Sequence, residues 1–307
     1  MKLATVIILT SGRRERYKHM EQLLESLTTQ TYKNFELILA TERMDRELVR
    51  LFNKYFRLCD KHRIIVTGYW NKCRTANKAI EEARGDIIFL LEDDLVLERR
   101  FIEILLQDFE LYPYVGCVYS RCIWVYREGL SGNKGLAGFM ARLISKLSLH
   151  ESLFRKQVKR INNFIYEVPV FTMSVACRKE ALYKAGLYDD NVEEPILGED
   201  FDLAIRVRKA GYKIIQDLRA ISLHYTRQVT KARRLYKEPR YLENQNLSEL
   251  YFMTKNIDLL KYYTMSHAIY RILNSLAWGI RLRSIKLALH GIAGIVKGFV
   301  KGLSNRL

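Results

Sequence analysis

Several classes of protein are excluded by what this sequence lacks. It has four prolines and no low-complexity tract among 307 residues, and its 49% hydrophobic content indicates a folded globular protein. Its five cysteines show no C-x-x-C spacing, which predicts reduced thiols with neither a disulfide framework nor a zinc site. No uninterrupted apolar run reaches the roughly 18 residues of a transmembrane helix. The apolar N-terminal segment lacks a signal-peptide cleavage site, so we expect it to be a first strand.

The chain is strongly basic, with a formal net charge of +17, and this predicts an anionic partner. The charge is polarised: nine Lys and Arg residues and one acid, Asp258, lie between Tyr251 and the C-terminus. The basic residues form no helix-turn-helix, zinc-finger or RNA-recognition signature, so no nucleic acid is expected as a partner. A nucleotidyltransferase would be expected to carry a Gly-rich phosphate loop near the N-terminus, and residues 11–14 resemble one only faintly.

Residues 87–94 are the most informative stretch, because an apolar run ends there in Glu92, Asp93 and Asp94. This pattern predicts a buried parallel strand, and ligands of open α/β sheets bind at the carboxyl ends of such strands. Carboxylates at one rim repel each other unless a cation lies between them, and Mg²⁺ or Mn²⁺ fits that need. The alternative is a solvated acidic turn.

Strands and helices alternate along the first half of the chain. Apolar runs at 4–9, 35–40, 63–66 and 87–94 predict strands, and the segments between them have helical periodicity. We therefore expect right-handed βαβ units and a mainly parallel sheet flanked by helices.

A second group of candidate residues follows a turn near position 198. Glu199, Asp200 and Asp202 open a predicted helix, and His224 follows a later strand. Acids at a helix start are stabilised by the helix dipole, whereas a general base would need one of them near an acceptor hydroxyl. His224 is either a partly buried side chain or a ligand close to Asp94, and the residues alone leave both alternatives open.

The C-terminal residues 285–303 have the periodicity of a basic amphipathic helix. Lys286, His290, Lys297 and Lys301 fall within an arc of about 60° on helical geometry, opposite an apolar side. Such a helix is suited to an anionic membrane interface, and docking on the preceding α/β domain is the alternative.

The order of these motifs resembles family 2 glycosyltransferases with a GT-A fold. The opening strand, Leu-Glu-Ser-Leu at 24–27, Gln-Thr-Tyr at 30–32, Glu-Asp-Asp at 92–94, and Glu-Asp-Phe-Asp-Leu at 199–203 with Ala-Gly-Tyr at 210–212 carry the resemblance over about residues 4–225. It implies a Rossmann-like GT-A domain at 1–225, in which 120–167 is a variable segment. A basic loop at 226–250 and C-terminal amphipathic helices at 251–307 would follow.

The resemblance also implies roles for individual residues. Asp200 would be the general base, with Glu199 and Asp202 as neighbouring acids. A divalent cation, Mn²⁺ or Mg²⁺, would be held by Glu92, Asp94 and His224. The donor would be bound by Thr10, Glu42, Arg74, Asn77 and Asp93. Thr41-Glu42 stands where the family usually has Asp-Asp, which leaves the identity of the nucleotide base open.

The implied reaction is inverting transfer from a nucleotide-diphosphate sugar to a lipid-linked or polysaccharide acceptor. We expect the enzyme to act in the cytoplasm, peripherally on the inner face of the cell membrane, with the C-terminal helices on an anionic surface. A non-catalytic sugar-nucleotide-binding protein and a nucleic-acid-binding protein are the alternatives.

Overall fold

A computed structural model of the chain describes residues 3–68, 71–125, 157–172, 174–225 and 238–306. The chain divides into two compact units. The first comprises residues 1–125, 158–190 and 203–226, and the second comprises residues 126–157, 191–202 and 227–307. Most of the predicted variable segment, 126–156, and the first part of the predicted basic loop, 226–237, lie outside the described residues.

The first unit contains one mixed sheet. Its described strands are β1 (Ala4–Thr10), β2 (Phe35–Thr41), β3 (His62–Val66), β4 (Ile87–Glu92), β5 (Leu95–Leu97), β6 (Val115–Val125), β7 (Lys159–Arg160), β8 (Ile165–Glu167), β9 (Val175–Arg178) and β10 (Lys213–Tyr225). The helices are α1 (Tyr17–Thr28), α2 (Arg46–Tyr55), α3 (Lys72–Glu82), α4 (Phe101–Leu111) and α5 (Lys179–Lys184). Helix α6 (Glu199–Lys209) begins in the second unit and ends in the first.

The strand order is β3-β2-β1-β4-β9-β6-β10-β8-β7, and β5 pairs with β10. Strands β3, β2, β1 and β4 are parallel neighbours, as the alternation of strands and helices predicts. Strand β9 lies antiparallel between β4 and β6, so the sheet is mixed. The predicted α/β fold with a mainly parallel sheet flanked by helices is confirmed.

The prediction that all five cysteines are reduced is wrong for one pair. Cys117 and Cys177 form a disulfide. The reason is tertiary: β6 and β9 pair antiparallel with these two residues directly opposite each other, at a Cα–Cα distance of 4.1 Å. Sixty positions separate them in the chain, so spacing alone gave no signal. Cys59, Cys73 and Cys122 are not disulfide-bonded.

Two buried carboxylates lie side by side between α4 and β10. Asp108 and Asp217 are both fully buried, and Arg219 reaches both of them, with Nη2 2.5 Å from Asp217 Oδ2 and 3.5 Å from Asp108 Oδ1. Burial and the neighbouring charge of Asp217 raise the pKa of Asp108 to about 8, although Arg219 opposes the shift. The folded protein therefore favours the protonated form of Asp108 more than the unfolded chain does.

This shift predicts a pH-dependent stability. Between pH 4 and pH 8 the native state binds more protons at Asp108 than the unfolded state, so the free energy of unfolding falls as the pH rises through this range. Asp108→Asn removes the ionisation and should flatten this part of the profile. Urea unfolding of both proteins at pH 5, 6, 7 and 8 is the measurement. An unchanged slope in the variant would show that Asp108 does not titrate in this range.

The second unit contains three long helices near the C-terminus, α7 (Pro239–Lys255), α8 (Ile257–Arg281) and α9 (Ile285–Ser304). Helix α7 begins within the segment predicted as a basic loop. Helix α9 is also the helix, among the described residues, that is long and apolar enough to cross a membrane by length and composition. Its lysines and glycines interrupt every apolar run, which is why the run length alone did not indicate it.

Four glycines let α9 approach its neighbours closely. An added Cβ at Gly294 would lie 2.1 Å from the carbonyl oxygen of Glu243, and one at Gly298 would lie 2.4 Å from that of Leu247, both on α7. Gly302 meets the backbone of Tyr251 in the same way, and Gly291 meets the hydroxyl of Ser275 on α8. The glycines therefore define the face of α9 that packs against protein.

The basic residues of α9 are turned toward the second unit itself. His290 Nδ1 and Lys297 Nζ both contact the carboxylate of Glu243, and Lys301 Nζ donates to the carbonyl of Asn191. Much of the apolar side of α9 is exposed to solvent, including Leu289 and Val296. The helix is amphipathic, as predicted. However, three of the four basic residues in the predicted arc (His290, Lys297 and Lys301) contact other protein groups.

We expect Gly294→Ala to destabilise the packing of α7 on α9. Alanine has the higher helix propensity, by about 1 kcal/mol, but its Cβ has no room beside Glu243, and overpacking of this kind costs about 1–3 kcal/mol. Urea unfolding measures the difference. Val296→Ala, an outward position on the same helix, is the matched control and should change stability less. A Gly294→Ala protein as stable as the wild type would contradict the close approach.

Candidate active site

The candidate site forms where β1 and β4 end next to each other. The strands are parallel neighbours in register, with Leu9 opposite Glu92. Parallel strands place their carboxyl ends at one edge of the sheet, so Thr10 and the acids at 92–94 meet there. Strand β10 reaches the same region, because Tyr225 N–H donates to the carbonyl of Asp94 at 3.0 Å.

Three predicted metal ligands are brought together. Glu92, Asp94 and His224 each offer a ligand atom, and these atoms lie within 4.8 Å of one another. His224 Nε2 is 3.1 Å from Asp94 Oδ1 and 3.9 Å from Glu92 Oε2. The position of His224 decides between its two interpretations, because the side chain is buried directly against Asp94.

These residues fit a divalent cation. Asp94 Oδ1 is buried and has no hydrogen-bond donor among the described residues, although it faces His224. A buried carboxylate oxygen without a donor is costly unless a cation or a proton satisfies it. Two carboxylates and an imidazole form a ligand set suited to Mn²⁺, and water or phosphate oxygens complete such sites.

Asp93 is held by a second set of hydrogen bonds, which Arg16 links to the cluster. Its side chain is fully buried and accepts hydrogen bonds from the Thr10 hydroxyl and the guanidinium of Arg16. Arg16 Nη2 also lies 3.1 Å from Asp94 Oδ2, so one guanidinium bridges two acids. Burial alone would lower the pKa of Arg16, but the charges of Asp93, Asp94 and Glu92 outweigh it and raise that pKa.

Arg16 and Lys72 are site residues that the sequence analysis missed. Lys72 opens α3, and its Nζ lies 2.8 Å from Glu92 Oε1. The signal for Arg16 was present: Arg13, Arg14 and Arg16 follow the first parallel strand, at the edge where the β4 acids end. Lys72 gave no such signal, since its approach to Glu92 depends on how α3 packs on the sheet.

The protonation states of Asp94 and His224 depend on each other. Burial would raise the pKa of Asp94, but the approach of His224 Nε2 to 3.1 Å and the charge of Arg16 lower it overall. Burial would lower the pKa of His224, but Asp94 and Glu92 raise it. The ring of Trp124 packs edge-on against His224, with centroids 4.3 Å apart, and fixes the imidazole beside Asp94.

The remaining predicted donor-binding residues lie on neighbouring loops and on α3. Glu42 follows β2, and its carboxylate is 3.3 Å from Arg43 Nη2. Arg74 Nε donates to Asp190 Oδ2 at 2.7 Å. Asn77 exchanges two hydrogen bonds with the backbone of Tyr188, at 2.8 and 2.9 Å, so its amide holds this loop on α3. Their roles toward a donor stay predictions.

The loop after β1 lies close to the loop after β2. Gly12 has a φ of +65°, and an added Cβ would lie 2.5 Å from Thr41 Oγ1 and 2.6 Å from the Arg43 carbonyl. Only glycine combines this backbone conformation with this approach. The glycine therefore lets the chain between Thr10 and Arg16 pass beside Glu42.

The second acidic group lies at the start of α6 in the second unit. Glu199, Asp200 and Asp202 occupy its first turn, where the helix dipole stabilises them. Asp202 is buried, and its Oδ1 accepts from Asn256 Nδ2 at 2.7 Å and lies 3.7 Å from Lys255 Nζ. Asp202 therefore ties α6 to the end of α7, whereas Asp200 is half-buried. Their catalytic roles stay predictions.

The mixed sheet, with an acidic cluster at its edge, is a GT-A fold. The chain resembles the crystal structure of GalNAc-T7 with UDP, GalNAc and Mn²⁺, with a TM-score of 0.62 at 12% identity. The match covers 96% of this chain and 57% of that one. At this identity the likeness establishes the fold.

The family follows from the sequence comparison. The model of glycosyl transferase family 2 matches residues 5–179, more than half of the chain, and the protein belongs to that family. It is 20% identical over 235 residues to the glucosyl-dolichyl phosphate glucuronosyltransferase of Haloferax volcanii, covering 72% of this chain and 68% of that one. It is 25% identical over 214 residues to an uncharacterised glycosyltransferase of Methanocaldococcus jannaschii, covering 69% and 66%. The predicted family and enzyme class are confirmed.

We expect Asp94→Asn to weaken Mn²⁺ binding at least tenfold, because it removes a charged ligand from the cluster. Titration calorimetry of the purified protein with MnCl₂ is the measurement. Asp86→Asn is the matched control. Asp86 is exposed and directly precedes the first residue of β4, at the opposite end of the strand from Asp94, so this variant should bind Mn²⁺ like the wild type. Equal affinities for all three proteins would exclude Asp94 as a ligand.

Proposed function

We propose that this enzyme transfers a sugar, with inversion, from a nucleotide-diphosphate donor to a hydroxyl of a lipid-linked or polysaccharide acceptor. The observation that carries the proposal is the cluster of Glu92, Asp94 and His224 in a family 2 glycosyltransferase. In this proposal the donor diphosphate binds beside the cluster, and the acceptor approaches the opposite face of the sugar.

Protein groups at the cluster suit a diphosphate leaving group. Glu92, Asp94 and His224 would hold Mn²⁺ or Mg²⁺, which neutralises the charge that develops on a departing diphosphate. Lys72 keeps Glu92 in position through its contact of 2.8 Å, and Arg16 keeps Asp93 and Asp94 in position from the other side. Fixed charges of this kind stabilise developing charge without reorganising during the reaction.

Asp200 is the proposed general base. Direct displacement by an acceptor hydroxyl needs one base and no enzyme nucleophile, and the dipole at a helix start interacts favourably with a carboxylate. Asp200 occupies the second position of the family's Glu-Asp-x-Asp-Leu block, and it is half-buried in the first turn of α6. These observations favour Asp200 for the role.

A lipid-linked acceptor is supported by one relative. The Haloferax volcanii protein is named for action on glucosyl-dolichyl phosphate, and it is aligned over 72% of this chain. Together with the basic C-terminal helices, this favours an acceptor at the cytoplasmic face of the membrane, with the protein bound peripherally. The identity of the donor's nucleotide base is left to experiment, since Thr41-Glu42 replaces the family's usual pair of aspartates.

Calorimetric titration with UDP, GDP and dTDP, each with and without Mn²⁺, tests the donor site. We expect metal-dependent binding of one nucleotide, because its diphosphate would complete the coordination of the metal. A folded protein that binds none of the three nucleotides would contradict the proposed donor site.

Asp200→Asn should keep metal-dependent nucleotide binding and lose transfer by at least a hundredfold, the scale of a general base. A radiolabelled sugar-transfer assay measures it, using membrane extract as the source of acceptor. Glu193→Gln, an exposed acid on the preceding loop, is the matched control and should transfer normally. Full activity of Asp200→Asn would assign the base elsewhere.

A further inference from the structure

Exposed apolar side chains line the outer surface of α8 and α9. Leu289 on α9 is 60% exposed, and Ile280 and Ile285, at either side of the turn between the helices, are each 80% exposed. We call this surface the apolar platform; its residues are Met265, Ile269, Leu273, Leu276, Ile280, Ile285, Leu289, Val296, Val300 and Leu303. They recur at intervals of three, four or seven along each helix, so each helix presents one stripe.

The two stripes lie next to each other. Gly279 of α8 approaches Ala288 of α9, and Ser275 of α8 approaches Gly291 of α9, so the helices run antiparallel from a short turn. The α9 stripe from Ile285 to Leu303 extends over about 27 Å at 1.5 Å per residue. Exposed apolar patches of such extent mark interaction surfaces.

The interior of this helical group contains polar contacts beside its buried apolar side chains, which include Leu250, Leu287 and Ile295. Asn246 of α7 is fully buried and donates to Ser275 Oγ at 3.1 Å and to the Gly291 carbonyl at 2.8 Å. Glu249 of α7 lies 2.8 Å from His267 Nε2 and 3.0 Å from Arg271 Nε, both on α8. Small residues and hydrogen bonds inside, with branched apolar residues outside, are typical of helices whose outer face contacts lipid.

The charged residues around the apolar platform indicate which kind of surface it binds. No Asp or Glu follows Asp258 in the sequence, whereas eight Lys and Arg residues do. Arg281, Arg283 and Lys286 are exposed at the turn between the two helices. Cationic residues bordering an apolar face are attracted to anionic lipid head groups, whereas two copies of this basic surface would repel each other.

We propose that the apolar platform inserts into one leaflet of an anionic membrane, with α8 and α9 lying in the plane of the bilayer. Helix α9 has the length and hydropathy of a membrane span, but its glycine face is packed on α7, and Glu243 contacts two of its side chains. Lipid therefore reaches only the outer face, which favours a helix lying in one leaflet. This proposal rests on the proposed function in one respect: an enzyme that acts on a lipid-linked acceptor works at a membrane.

Flotation of the full chain with vesicles tests this. Vesicles of phosphatidylglycerol and phosphatidylcholine should float the wild-type protein, and vesicles of phosphatidylcholine alone should bind at least tenfold more weakly. Leu289→Asp should lower partitioning into the anionic vesicles at least tenfold, because a carboxylate on the platform is expelled from hydrocarbon. Leu111→Asp is the matched control, a leucine 66% exposed on α4, and should float like the wild type.

Trp278 reports the depth of insertion independently. It lies near the end of α8 beside Arg281, and lipids brominated in the acyl chain should quench its fluorescence in the wild type and not in Leu289→Asp. A Trp278→Phe protein identifies the signal, since the chain has three tryptophans.

Two outcomes would overturn the proposal. In one, Leu289→Asp floats as well as the wild type. In the other, the wild-type protein does not float but sediments as a dimer that Leu289→Asp dissociates, which would make a second copy the occupant. Metal-dependent nucleotide binding, measured on the same preparations, should be equal in both proteins. Its absence from the wild type would contradict the proposed donor site and leave the flotation result standing.

Discussion

The carboxylates at the end of β4 need positive charge close by, because Asp93 and Asp94 are almost completely excluded from water. Uncompensated buried charges cost several kcal/mol each. Arg16 meets this need for Asp93 and Asp94, Lys72 meets it for Glu92, and His224 lies against Asp94. This constraint explains why the loop after β1, the start of α3 and the end of β10 all converge on one strand end. A divalent cation bound there would add positive charge to a site whose side chains already hold one another in place.

The helices of the second unit add buried hydrogen bonds and close glycine contacts to an interior that also contains apolar side chains. In the first unit, apolar side chains from the sheet, α1, α2 and α4 form a common core. In α7, α8 and α9, buried hydrogen bonds and glycine contacts join the helices, while isoleucine, leucine and valine side chains line the outside. The hydrophobic effect disfavours such an exterior in water, and lipid removes that cost. The two units are thus built for different surroundings.

Much of the site was predictable because its residues come from strand ends. An apolar run that stops at three acids, and a first strand followed by arginines, both indicate one edge of a parallel sheet. The approach of His224 was predicted only as one of two alternatives, since it depends on a bulged strand of 13 residues pairing with β6. Lys72 and the cross-strand disulfide were missed, because each depends on a pairing between distant segments.

The sequence by itself determined the periodicities, the family and the polarity of the strand ends, since these depend on the local order of residue types. The tertiary structure decided which groups face each other. It put Asp202 against Asn256 and Asp108 beside Asp217, and it turned the basic side of α9 toward Glu243. The physical reason is the same in each case. Local sequence patterns show which side of a helix is polar. Which side packs against a neighbouring element depends on the charges of that element and on the space beside each glycine.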